Sequence, residues 1–91
     1  EAGGMLEAVK LYLRIDHNHE DELLRGLIAA AVSFIKSGTG VEVREDNEKG
    51  MLIVKFLVAH WYENRQLAGQ ASELPFSVTA LMLQLETEKG E

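Results

Sequence analysis

Ten of the twelve residues from Met51 to Tyr62 are apolar, and only Lys55 and His60 interrupt them. A helix built on such a run has no wet face over most of its length and must be buried nearly all round. The run is also far short of the roughly 20 apolar residues that span a bilayer. Asn47 is placed to cap its start and Gly69 to stop it, so a helix is expected over residues 48–67. In a chain of 91 residues, enough for one core and too few for two, the remaining segments can hardly cover that helix. Part of it is therefore expected to lie against another subunit.

Three further segments carry helical periodicity. Leu6, Val9 and Leu13 form one apolar stripe on a short helix expected over 5–13. Residues 14–18 break the pattern, and Asn18 stands ahead of Glu20, Asp21 and Glu22. That composition suits an N-cap followed by negative charge at the positive end of a helix dipole. Leu24, Leu27, Ile28, Ala31, Phe34 and Ile35 then repeat at helical spacing, Lys36 falls in the last turn, and Gly38 is the expected stop, which gives a helix over 19–37. The fourth helix is expected over 77–85: Pro75 suits the entry, and Val78, Leu81, Met82 and Leu85 supply the stripe. Val41–Arg44 alternates in polarity, but a lone strand has no partner, so the stretch Gly38–Gly50 reads as a loop. The fold class is all-α, a small four-helix domain with one long, largely buried central helix. The first four residues, Glu1–Gly4, read as an expression-tag remnant with Met5 as the native start. Residues 5–85 read as a single domain and 86–91 as a charged, frayed tail.

Composition narrows the function classes. An apolar share of 46 % argues against a disordered chain. The absence of cysteine excludes disulfides and thiolate metal sites. Nine basic against fifteen acidic residues leave a formal charge of −6, a poor match for binding to phosphate backbones. No basic region followed by an apolar stretch opens the chain, so no secretory leader is expected there.

The groups able to do chemistry are few. His17 and His19, flanked by Asp16, Glu20 and Asp21, are metal-ligating types. Their spacing matches no zinc signature, and polar residues crowding a helix start are the usual capping composition, so no metal site is expected. His60 has Glu63 three residues on, yet a single His–Glu pair specifies no reaction, and a hydrogen-bonded interior or interface histidine is the better reading. The serines lie in no Gly-x-Ser-x-Gly elbow, and Gly38-Thr39-Gly40 lacks the Gly-Lys-Ser/Thr of a phosphate loop. Catalytic residues, cofactors and metals are thus all expected to be absent. Trp61, Tyr62 and Arg65 belong to types enriched in interface hot spots and are the candidates for a subunit contact.

The segment Val9-Lys10, Leu13-Arg14-Ile15-Asp16-His17, Glu20-Asp21 and Leu24, with a long helix after it, resembles the start of the small head–tail connector (DNA-packaging) proteins of tailed bacteriophages. Val58-Ala59-His60-Trp61-Tyr62-Glu63-Asn64-Arg65 is similar to the central-helix signature of that family. Leu74-Pro75-Phe76 before a short apolar helix is similar to its closing segment. Together the matches cover most of the chain, from Met5 to about Leu85, and the string His60–Arg65 is the most specific of them. The chain ends soon after the fourth helix, so a longer C-terminal arm used by relatives to grip the portal is expected to be missing. The resemblance implies a structural, non-enzymatic subunit of the virion's head–tail interface, assembled in the host cytoplasm. It would form a homo-oligomeric ring beneath the portal protein, extend the DNA channel, help retain DNA, and offer a platform to a downstream neck or tail protein. Neither a cofactor nor membrane contact is implied. DNA would pass without sequence-specific binding, and an acidic channel wall would keep phosphates from sticking. The alternative is a helix-turn-helix DNA-binding regulator. It requires a recognition helix rich in Arg, Lys, Asn or Gln, and the second helix offers only Arg25 and Lys36.

Overall fold

The computed structural model describes residues 2–64 and 76–89. All four expected segments are helical there: α1 (Ala2–Leu13), α2 (Asp21–Thr39), α3 (Glu48–Glu63) and α4 (Phe76–Lys89). The described residues contain no strand, and residues 41–47 form a loop. The protein is all-α, as its periodicity requires. None of its described helices is long and apolar enough to cross a membrane.

The helices α2 and α3 form a central pair. α1 packs on both and α4 packs on both, while α1 and α4 share no contact among the described residues. They therefore flank the central pair on different sides. α3 supplies Ile53, Val54, Leu57, Val58 and Trp61 as fully buried side chains, met by Val9 from α1, Leu24 and Ile35 from α2, and Val78 from α4. The Trp61 ring stands edge-on to Phe34, with centroids 5.7 Å apart, a favourable aromatic geometry.

The three other helices bury most of the apolar surface of α3, while Leu52 stays exposed and Phe56, Ala59 and Tyr62 stay half-buried, Phe56 beside Tyr12. The cover of α3 is incomplete on that side, as its run of apolar residues implies. The most exposed large apolar side chains lie elsewhere, Leu11 on α1 at 79 % and Leu83 on α4 at 63 %.

Helix ends differ from the expected ones for identifiable reasons. α1 stops through Arg14, which takes the left-handed conformation at φ 62°. The Ile15 amide then donates to the Lys10 carbonyl (2.9 Å) and the Arg14 amide to that of Leu11 (3.2 Å), satisfying carbonyls of the last turn. α2 passes through Gly38 and ends two residues later at Gly40, whose φ of 78° suits glycine and whose amide donates to the Lys36 carbonyl. Thr39 is buried and its hydroxyl donates to the Ile35 carbonyl (2.7 Å), so it belongs to the helix. Asn47 caps α3 as expected, its Oδ1 accepting from the Gly50 amide at 2.8 Å. At the other end the Asn64 amide donates to the His60 and Trp61 carbonyls. The remainder of the expected third helix, with Leu67 and the Gly69 stop, and the Pro75 entry to α4 lie outside the described residues. Residues 86–89, expected as a frayed tail, continue α4, and the Glu88 carboxylate pairs with Lys49 of α3.

Candidate assembly surfaces

The connection between α1 and α2 is fastened from two directions. Lys10 sits among the apolar positions of α1 and is only 8 % exposed. Its ammonium donates to Asn18 Oδ1 and to Asp21 Oδ1, each at 2.9 Å, which ties the last turn of α1 to the connecting loop and to the first turn of α2. Asn18 is thereby taken up by Lys10. It does not cap α2, whose N-cap position is Glu20, with no side-chain cap bond. Asp21 and Glu22 do stand in the first turn, where negative charge favours the dipole. From the other direction the Tyr62 hydroxyl, at the end of α3, donates to the Glu20 carboxylate. Two strings far apart in sequence, residues 9–24 and 58–65, thus meet at one joint.

His17 and His19 lie exposed in that loop with ring centroids 4.8 Å apart, and the His19 amide donates to His17 Nδ1. No cluster of three or more His, Asp or Glu side chains poised for a metal occurs among the described residues. His60 Nε2 and Trp61 Nε1 are buried and have no hydrogen-bond partner among the described residues. The His60 carbonyl, by contrast, accepts from the Asn64 side-chain amide.

Of the three candidates for a subunit contact, Trp61 is fully buried within its own subunit. Its ring therefore has no surface to offer a neighbour, and its part is to fix α3 against α2. Tyr62 is half-buried, and Arg65 lies outside the described residues.

The outer surface carries features that periodicity did not single out. An open groove of about 420 Å³ runs along α2, lined by Met5, Ile28, Ala29 and Val32, with Ser33, Arg25, Lys36 and Glu42 on its lips. Its two cations are held loosely: Arg25 stands 3.6 Å from Glu22, and Lys36 stands 3.8 Å from Glu42. These pairs are exposed, and pairs of that kind contribute little. They also leave α2 without the stretch of free basic and amide side chains that a recognition helix presents to a DNA groove.

The described residues enclose one apolar core and leave the α2 groove, Leu11 and Leu83 on the outside. The sequence profile of the phage gp6-like head-tail connector protein family matches residues 4–86, nearly the whole chain. The chain belongs to this family, a structural one of the virion head–tail interface. No match is found among curated proteins or among solved structures.

Proposed function

We propose that this protein is the connector subunit that closes into a homo-oligomeric ring beneath the portal protein, prolongs the DNA channel and presents a platform to the next neck or tail protein. The observation that carries the reading is the family match over residues 4–86, which takes in both strings that meet at the Lys10–Asp21 and Tyr62–Glu20 joint. The joint gives those strings a physical meaning, since they set how α1, α2 and the end of α3 are held together. Surface contact among identical subunits suits a domain of this size, because a repeated head-to-tail contact closes when its rotation divides the circle. Tyr62 and Arg65 are proposed to border that contact, with Tyr62 also fastening Glu20.

The charge balance fits a channel component. Fifteen acidic against nine basic residues repel a polyanion, so DNA can slide past without being retained. Assembly is proposed to take place in the host cytoplasm, with the finished ring carried in the virion.

The test is to mix the protein with its cognate portal and image the product by electron microscopy. Ring density beneath the portal is expected. A bare portal at saturating protein would overturn the assignment.

A further inference from the structure

We propose that the groove along α2 is the socket of the ring contact and that the outward face of α4 from a second copy of this chain, centred on Leu83, fills it. The proposal rests on the ring reading above and adds which two surfaces meet.

A head-to-tail contact needs two different, complementary patches on well-separated sides of the subunit. The groove and α4 satisfy that requirement. On a helix turning 100° per residue, Ile28, Ala29 and Val32 face one side of α2. Phe34 and Gly38, which line the crevice between α2 and α4, face nearly the opposite side. The groove also takes in Met5 of α1, and α1 has no contact with α4. A neighbour seated in the groove is therefore clear of the subunit's own α4.

Shape and polarity agree as well. The groove is concave, with an apolar floor. Among the described side chains of α4, Leu83 is the most exposed large apolar one, at 63 %, and the exposed Thr79, Glu86 and Thr87 surround it at helical spacing. Buried apolar residues hold the other side of the helix, Val78 and Leu85 among them, and Leu83 stands exposed at the outer mouth of the crevice between α4 and α2. A single exposed leucine is ordinary on a protein surface, and this one is placed to act as a knob in an apolar socket.

Charge selects the same pairing. The last two turns of α4 carry Glu86 and Glu88 ahead of the terminal Lys89, and Glu88 is already paired with Lys49. Glu86 is left as the carboxylate beside Leu83. The socket's lips carry Arg25 and Lys36, whose own partners are exposed and distant enough to be exchanged. Seating Leu83 on the floor would set Glu86 against one of those cations, and the partly desolvated contact would strengthen their attraction. Leu11, the other highly exposed leucine, has Glu7 on one side and Arg14 on the other, so it offers no such sign preference.

Because the chain has no cysteine, the pairing can be read by cross-linking. Ser33→Cys places a thiol on the socket's lip and Leu83→Cys replaces the knob, both at exposed positions. The full chain carrying both, mildly oxidised under conditions where the wild type assembles, should give a ladder of dimers, trimers and larger species. Either variant alone should give none beyond a dimer. A wild type that assembles, with a double variant no more cross-linked than the single ones, would overturn the pairing and leave the ring standing. A wild type that fails to assemble both alone and with its portal would overturn the ring and the pairing together. As a second measurement, Leu83→Arg should weaken self-association by about tenfold or more while leaving the melting temperature unchanged. Lys36→Glu and Glu86→Lys should each weaken it, and the two combined should restore it. Undiminished assembly of Leu83→Arg, or no recovery in the charge-exchanged pair, would refute the contact.

Discussion

Replacing Lys10 with methionine isolates the joint between α1 and α2 from the packing around it. Methionine keeps an unbranched stem of similar length among the apolar neighbours and removes only the ammonium. Two charge-assisted bonds go with it, to Asn18 and to Asp21, each 2.9 Å long. The side chains of Lys10 and Asp21 are 10 % and 21 % exposed, so the pair is neither an open surface bridge, contributing at most about 1 kcal/mol, nor a deeply buried one, whose breakage costs about 3–5 kcal/mol. Asp21 also retains partial compensation from the α2 dipole after the change. A loss of about 2–3 kcal/mol is therefore expected, and for a domain of this size that lowers the melting temperature by about 10–20 °C. Urea unfolding followed by circular dichroism measures it. The double variant Lys10→Met with Asp21→Asn should be less destabilised than the sum of its parts, because the second change removes the carboxylate that the first leaves unpaired. Added salt should reduce the coupling only weakly, since the pair is shielded from the ion atmosphere. A Lys10→Met variant within about 0.5 kcal/mol of wild type would mean that the joint does not hold α1 to α2.

Other substitutions probe separate parts of the fold. Leu57→Ala should cost about 2–5 kcal/mol by chemical denaturation, since Leu57 is fully buried; a loss below about 0.5 kcal/mol would remove it from the core. Gly26 lies exposed in the middle of α2, and a methyl group there would meet nothing within 4 Å. Gly26→Ala should accordingly stabilise by about 0.5–1 kcal/mol, seen as a higher melting temperature, and a destabilised variant would contradict that open site. Arg14 holds a left-handed conformation that costs an ordinary residue about 1–2 kcal/mol, against a smaller entropic cost for glycine. Arg14→Gly should gain about 0.5–1 kcal/mol and Arg14→Ala should stay within about 0.5 kcal/mol of wild type, so equal stabilities of the two variants would argue against the strain.

What the sequence revealed of the fold follows from which interactions are local. The Asn47 cap depends on a bond to Gly50, three residues away, and was legible for that reason. The joint was not, because Lys10 meets Asn18 and Asp21 across eight and eleven residues and Tyr62 meets Glu20 across forty-two. A charged residue within the apolar stripe of α1 was the available signal, since a buried ammonium requires partners. The end of α2 was misplaced because Gly38 and Gly40 are equally good stops by local chemistry. Gly38 keeps helical backbone with the Met82 methyl close against it, and it is Gly40 that takes the left-handed conformation and ends the helix. In α3 a stripe cannot be located from a run with so few polar residues, and only the positions of α1, α2 and α4 decide that the side bearing Leu52 is left open. The groove along α2 was invisible for a related reason: one wall, Met5, belongs to a different helix.

Apart from Tyr62 and Arg65, the strings that resemble the connector family and the surfaces proposed for assembly occupy different parts of the molecule, and the fold connects them. Lys10, Asp21, Glu20 and Tyr62 fix the end of α1 to the start of α2 and to the end of α3. The groove has its walls on two of those same helices, Met5 on α1 and Ile28 with Val32 on α2, so its width depends on how the joint holds them. Its floor needs no partner in order to form, because the core beneath it is closed within one subunit. On the proposed reading, folding and assembly are separable steps: the subunit folds on its own core, and a modest contact of one apolar knob and a charged lip joins it to the next. A single contact of that size is weak between free subunits. It becomes effective when a template holds neighbours side by side, since the local concentration then replaces the concentration in solution. On the proposed reading the portal is that template, which favours ring closure at the capsid vertex over premature closure in the cytoplasm.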